Sequence, residues 1–231
     1  MSPIQQLFLG QGAVATKTYV DDVFSTFVYA GDGGNNRVIN NNIDMTEGGL
    51  IWTKARNDSS LRNYWYDTVR GKTKRILSDG TDAESTETND IRSFDSTGYK
   101  TGSGGATNGG GYDYASWTFR KTPGFCDIVS YTGDNSSNRA ISHSLGSAPG
   151  LILVKCTSTT KEWQVWHRDQ HGNVGVLDTA AAFFSNASRF PTIPTSTNFY
   201  VGNDSALNDG SSTYVAYVFA GGESTAATAR S

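Results

Sequence analysis

From position 112 to 119, side chains of two kinds alternate. Tyr112, Tyr114, Ser116 and Thr118 fall on one face, and Ala115, Trp117 and Phe119 on the other, which is the period of two that a strand imposes. Similar short runs, rich in aromatic and β-branched residues, occupy 24–29, 37–39, 50–54, 64–69, 74–77, 91–94 and 99–101. They return at 125–131, 140–141, 151–155, 163–167, 174–177, 199–201 and 214–219. Each is expected to be a strand. Between them lie clusters such as Gly31-Asp32-Gly33-Gly34-Asn35 and Asp95-Ser96-Thr97-Gly98, where Gly and Asn supply the positive φ of a turn. The run 50–54 is almost continuously apolar, as in a strand buried on both faces or at the centre of a sandwich.

The two series of runs match each other. Gly49-Leu50-Ile51-Trp52-Thr53-Lys54 returns as Gly150-Leu151-Ile152-Leu153-Val154-Lys155, 101 positions later. Tyr29-Ala30-Gly31-Asp32 returns as Tyr131-Thr132-Gly133-Asp134 at an offset of 102, and Asn36-Arg37-Val38-Ile39 returns as Asn138-Arg139-Ala140-Ile141 at the same offset. Trp65 falls on Trp166 at 101, and Tyr114 to Phe119 fall on Tyr214 to Phe219 at 100. So regular a spacing is expected from an internal duplication with a unit of about 100 residues. The chain then divides into an arm (1–22), a first β repeat (23–120), a second (121–222) and a small polar tail (223–231). The joint Lys121-Thr122-Pro123-Gly124 is too short to be a flexible linker, so the repeats are expected to be close neighbours.

Composition sharpens this picture. Glycine is frequent at 26 residues and proline sparse at 5, while aromatics make up 12%. That suits short strands joined by many turns. A hydrophobic content of only 36% argues that the repeats share an extensive interface. The net charge of -3 is dispersed, which gives no electrostatic reason to expect nucleic acid or an anionic membrane as partner. The apolar runs are too short for a membrane-spanning helix, so no membrane insertion is expected. Arg70, Lys72, Lys74 and Arg75 sit among acidic neighbours and read as a solvated strand face or turn.

Candidate chemistry is sparse. His167 and His171 are four apart, but a strand ends between them, and the zinc-protease helix pattern is missing. The acidic stretch 78–90 lacks the calcium-loop spacing, and the glycine-rich stretch 102–111 lacks the Gly-Lys-Ser/Thr of a phosphate loop. Asp127, Glu162, Asp169 and Asp178 form no pair that spacing reveals. No catalytic residue, metal or cofactor is therefore expected. Cys126 and Cys156 read as buried thiols, with a disulfide left open because sequence cannot place their Cα atoms. Trp65, Trp117 and Trp166 are expected in the core. Trp163 faces Arg62 in the repeat alignment and is the candidate for an exposed ring on which a sugar could stack. In the arm, Ala13-Val14-Ala15 is like a leader cleavage site, but no Lys or Arg precedes it. Ile4, Leu7, Phe8 and Leu9 are instead expected to pack on the body or a neighbouring subunit.

Certain runs carry a family resemblance. They are Gly48-Gly49-Leu50-Ile51-Trp52-Thr53-Lys54, Tyr66-Asp67-Thr68-Val69-Arg70-Gly71, Ser93-Phe94-Asp95-Ser96-Thr97-Gly98-Tyr99 and Tyr114-Ala115-Ser116-Trp117-Thr118-Phe119. In the second repeat they are Pro123-Gly124-Phe125, Tyr131-Thr132-Gly133, His143-Ser144-Leu145-Gly146 and Pro149-Gly150-Leu151-Ile152-Leu153-Val154-Lys155. In combination the chain resembles structural proteins of tailed bacteriophages, notably marine cyanophages. The resemblance implies a virion component with a concanavalin-like or related β-sandwich, and it supplies no binding or catalytic residues.

The expectation is therefore an all-β protein, an antiparallel sandwich of two halves. It would be a non-enzymatic virion protein on the outer surface of capsid or tail, a tail-fibre-like appendage or a capsid-decorating subunit. Its partners would be other virion proteins and copies of itself. The alternative is an adhesin that reads a host surface glycan.

Overall fold

The computed structural model describes residues 18–222 and 227–228. Ile4, Leu7, Phe8 and Leu9 of the expected arm lie outside the described residues. The first half holds β1 (Thr18–Tyr19), β2 (Phe24–Ala30), β3 (Arg37–Asn40), β4 (Gly49–Ala55), β5 (Tyr64–Asp67), β6 (Lys74–Leu77), β7 (Ser85–Thr86), β8 (Ile91–Asp95), β9 (Gly98–Thr101) and β10 (Asp113–Arg120). The second holds β11 (Cys126–Thr132), β12 (Arg139–Ser142), β13 (Pro149–Cys156), β14 (Gln164–His167), β15 (Asn173–Val176), β16 (Phe184–Ser185), β17 (Asn198–Val201) and β18 (Thr213–Ala220). A last strand, β19 (Ala227–Thr228), pairs in parallel with β1.

The architecture is all-β. Each half has one six-stranded sheet, ordered β2-β10-β4-β5-β6-β7 in the first and β11-β18-β13-β14-β15-β16 in the second. The order is the same when strands are matched along the chain. A small sheet covers one face of each: β3-β9-β8 in the first half, β12-β17 in the second. Every pairing within these sheets is antiparallel.

Alternation along the central strands fills both faces. In the first half Ile51, Tyr66 and Tyr114 point inward to Ile39, Ile91 and Tyr99 of the small sheet, forming one core. In the second, Ile152, Trp166 and Tyr214 meet Ile141, Phe199 and Val201 in another. The residues between them along the strands point the other way. Leu50, Trp65 and Ile76 of one large sheet meet Ile128, Leu153, Val165, Val215 and Tyr217 of the other. The halves thus have separate cores and also a shared one, and the body is a stack of small sheet, large sheet, large sheet and small sheet.

Matching details recur. Tyr29 stacks on Tyr114 at 5.3 Å between ring centres, and Tyr131 on Tyr214 at 5.1 Å. The Tyr29 hydroxyl donates to Thr107 O at 2.7 Å, and the Tyr131 hydroxyl to Leu207 O at 2.8 Å. Asn108 Oδ1 accepts from Asp32 N, as Asn208 Oδ1 accepts from Asp134 N. These bonds satisfy buried polar groups at the same place in each half.

Register corrects one expectation. Leu50 faces Asp67 across β4 and β5, whereas Leu151 faces His167 across β13 and β14. Tyr66, and not Trp65, therefore occupies the position of Trp166. Trp65 and Trp166 are both buried, at 4% and 2% exposure, but on opposite faces of their sheets. One residue of slip in a strand reverses the face. Trp117 is only half-buried, resting on Trp52 at 4.6 Å.

Candidate functional site

The expected sugar platform does not exist at Trp163. Its side chain is fully buried, with its ring 5.1 Å from Trp65, and its indole N–H donates to Leu77 O at 2.7 Å. In the sheet register its counterpart is Asn63, not Arg62. The lack of a matching aromatic signals an asymmetric interface, because Trp163 fills the space between halves that differ in sequence.

The basic cluster is also corrected. Arg70 is not solvated: its side chain is 5% exposed and its Nε lies 2.6 Å from Asp67 Oδ2, which is fully buried. Arg70 Nη1 reaches Glu84 at 3.1 Å, and Nη2 accepts no proton but donates to the Tyr217 hydroxyl at 3.2 Å. That hydroxyl in turn donates to Asp67 at 2.7 Å. Burial alone would lower the Arg70 pKa, but Tyr217, Asp67 and Glu84 outweigh it and raise it. Burial raises the Tyr217 pKa well above the usual phenol value. Lys155, also fully buried, adds a second bridge by donating to Thr81 O in the first half and to Cys156 O and Lys161 O in its own. Buried charges survive only when partnered in this way.

Beside this packed zone the two large sheets separate into a cleft of about 940 Å³. Leu50, Trp52 and Phe119 face Leu151, Leu153 and Phe219 across it, with Asn63, Asp79 and Asp178 among the polar groups of its wall. Trp52 donates its indole N–H to Asn63 Oδ1 at 3.0 Å. Asp178 Oδ1 accepts from Trp163 N at 3.1 Å. Asp178 Oδ2 and Trp65 Nε1, both buried, have no hydrogen-bond partner among the described residues. The surface can cover apolar groups.

A second cavity, of about 390 Å³, opens at the corner where β14 ends. Ser147, Ala148, Pro149, Trp166, Arg168, His171, Ile193, Pro194 and Gly221 line it. Ser147 Oγ and Trp166 Nε1 are buried and without a hydrogen-bond partner among the described residues. An unpaired buried donor costs about 1–3 kcal/mol, and both atoms are closed off from solvent. Arg168 donates to Gly221 O and lies 3.7 Å from Asp169.

The corresponding corner of the first half is built from other side chains. Tyr66, equivalent to Trp166, donates its hydroxyl to Asp90 Oδ2 at 2.6 Å. Lys121 stands where the second half has Gly221. A methyl group placed on Gly48 would meet Lys121 Cδ at 3.2 Å and Thr68 Oγ1 at 3.3 Å. Lys121 is anchored by an ion pair with Asp127 at 2.9 Å. The cavity was not visible in the sequence, since its wall comes from segments far apart in the chain.

The other candidates are dispersed. His143 is buried, with Nδ1 accepting from Leu145 N at 3.2 Å and Nε2 facing Thr195 O at 3.2 Å. His167 and His171 are separated by the short 3₁₀ turn Arg168–Gln170. Cys126 and Cys156 are buried free thiols. Carboxylates of the acidic stretch are engaged by basic side chains: Asp79 by Arg62, Glu84 by Arg70 and Lys74, and Glu87 and Asp90 by Arg75. Among the described residues no group of three or more His, Cys, Asp or Glu side chains could hold a metal ion, and no helix is long and apolar enough to cross a membrane.

A family model described as Domain of unknown function (DUF7483) matches residues 20–226. No curated protein and no solved structure matches the chain.

Proposed function

This chain belongs to the family described as Domain of unknown function (DUF7483), and we propose that it is a non-enzymatic structural protein of a tailed-bacteriophage particle. It stands on the outer surface, as a tail appendage or a capsid-decorating subunit, in contact with other virion proteins and with copies of itself. The observation that carries this reading is the bond between the halves. Asp67, Arg70 and Tyr217 form a buried network across them, and the shared apolar core surrounds it. Such a body resists rearrangement, because opening it would expose charge and apolar surface together. Rigidity suits a subunit that must hold its shape in many copies. The runs that resemble phage structural proteins fall on these parts, including β4, β5 with Arg70, and β10.

The test is cryo-electron microscopy and mass spectrometry of purified particles from a phage that encodes the chain. The four-layered body should appear at repeated surface positions, with the chain present in many copies. Its absence from purified particles would overturn the reading.

A second reading, a glycan-binding adhesin, draws its support from the corner cavity, whose wall combines Pro149, Ile193 and Pro194 with the ring of Trp166.

A further inference from the structure

We propose that the outer edge of β2 is a self-association site, where β2 of a second copy adds antiparallel about a two-fold axis at Phe27. The inference deepens the structural-protein reading and rests on it for copies to meet at high local density. Its test needs no particle, so each can fail alone.

β2 is the edge strand of the first large sheet, and among the described residues only β10 pairs with it. The bond from Gly31 N to Tyr112 O fixes the phase of that ladder. Ser25, Phe27 and Tyr29 therefore exchange bonds with Thr118, Ser116 and Tyr114, and the backbone groups of Phe24, Thr26, Val28 and Ala30 point outward. Two of these outward groups are engaged inside the chain: the Phe24 N–H donates to Val20 O, and Ala30 O accepts from Arg37. The others have no partner among the described residues. Thr26, Val28 and Ala30 are exposed, Val28 at 59%. No charged side chain, proline or glycine interrupts Phe24–Ala30, so the usual guards of an open edge are missing.

The matching edge in the second half is guarded. Cys126 N donates to Thr122 O at 3.1 Å, and Cys126 O accepts from Thr122 N at 2.9 Å. Ile128 N donates to Asp127 Oδ1 at 2.8 Å, and Ile128 O accepts from Lys121 at 3.5 Å. Arg139 takes Thr132 O as Arg37 takes Ala30 O. Among the described residues this leaves open only Ser130 and the Thr132 N–H, too little for a strand. Asp127 stands opposite Val218 where β2 has Ser25 opposite Thr118.

The occupant follows from the pattern of free groups on β2. With the two-fold at Phe27, the Thr26 N–H meets Val28 O of the second copy, the Val28 N–H meets Thr26 O, and the Ala30 N–H meets Phe24 O. The remaining groups of this register, the Phe24 N–H and Ala30 O, are the two already engaged within each chain. Every free donor thus finds a free acceptor, and an uncharged strand meets no repulsion from its own copy. The pairing uses up the open edge of both copies, so it closes at a dimer.

Analytical ultracentrifugation of the full chain over a concentration series reads the association, and amide hydrogen exchange by NMR reads the edge. A monomer–dimer equilibrium is expected, with the Thr26 and Val28 amides slowed in the dimer and the Ser130 amide unchanged. Thr26→Pro removes an outward donor from each copy without touching the ladder to β10, and should weaken the dimer at least about tenfold. Val28→Lys leaves the backbone as it is and should also weaken the dimer, by setting like charges on either side of the axis. Ser130→Pro, on the guarded edge, should leave the dimer unchanged. Unfolding midpoints check that each variant folds. A monomer at every concentration, whether its edge amides exchange fast or are slowed by residues 1–17, would overturn the proposal. So would a dimer untouched by both Thr26→Pro and Val28→Lys. Either result leaves the chain's presence on a particle to be decided by imaging.

Discussion

Tyr66 and Trp166 hold the same place in the two halves, opposite Ile51 and Ile152 in register. Yet among the described residues one has its polar group satisfied and the other does not. Tyr66 donates to Asp90, while the Trp166 N–H is buried with no hydrogen-bond partner among the described residues. A residue further along β5, Asp67 draws Arg70 inward and reaches Tyr217 of the other half. Its register equivalent His167 sits at the surface. The backbone route is alike, and a few side chains decide whether the corner becomes a strut or a pocket. The first corner thus adds a buried charged link to the apolar core that the halves share, and the second adds none at this position.

The contrast can be broken most severely at the shared core. Trp163→Ala should cost about 4–5 kcal/mol, since it empties a fully buried ring site, whereas Asn63→Ala at the equivalent position should cost about 1 kcal/mol. Urea unfolding of both variants checks this. Comparable losses would mean that the interface is less asymmetric than the packing implies.

Next in size is the strut itself. Asp67→Ala should cost about 3–4 kcal/mol because it leaves the Arg70 guanidinium buried without its nearest carboxylate. His167→Ala should change stability by less than about 0.5 kcal/mol, as a surface substitution. The same unfolding experiment reads both.

The smallest effect sharpens the comparison through pH. His143 and Asn41 each accept a backbone N–H two residues ahead, from Leu145 and Ile43. Only His143 titrates. Burial pushes its pKa below the ordinary 6.5, against the opposing pull of Thr195 O and Asp127. The neutral ring is thus the folded form, and an unfolded chain binds the proton more readily. Its contribution is complete above about pH 6.5 and declines as pH falls toward the folded value. His143→Asn should flatten the fall in urea midpoint between pH 7.5 and 5. An unchanged slope would assign it to other groups.

Much of the fold was legible because strands write their faces into alternate positions. The run 112–119 showed both faces of β10, and Tyr114 and Phe119 lie on opposite faces as it indicated. What was hidden depends on partners far away in the chain. Trp65 and Trp166 look equivalent by spacing, but only the ladder with β4 and β13 fixes which way each points. Arg70 looked solvated because its partner Tyr217 lies 147 positions away. The corner cavity gathers Pro149, Trp166, Ile193 and Gly221 from distant parts of the chain, and a sequence does not display empty space.

The shared core also sets the smallest unit that can be made. A fragment cut at the joint after Arg120 would turn Leu50, Trp65 and Ile76 outward, and the remainder would do the same with Ile128, Leu153 and Val215. Neither piece could stay dispersed in water without finding a substitute for its lost companion. Anyone who dissects this chain into modules must therefore keep the pair intact, or supply the second half as a separate polypeptide.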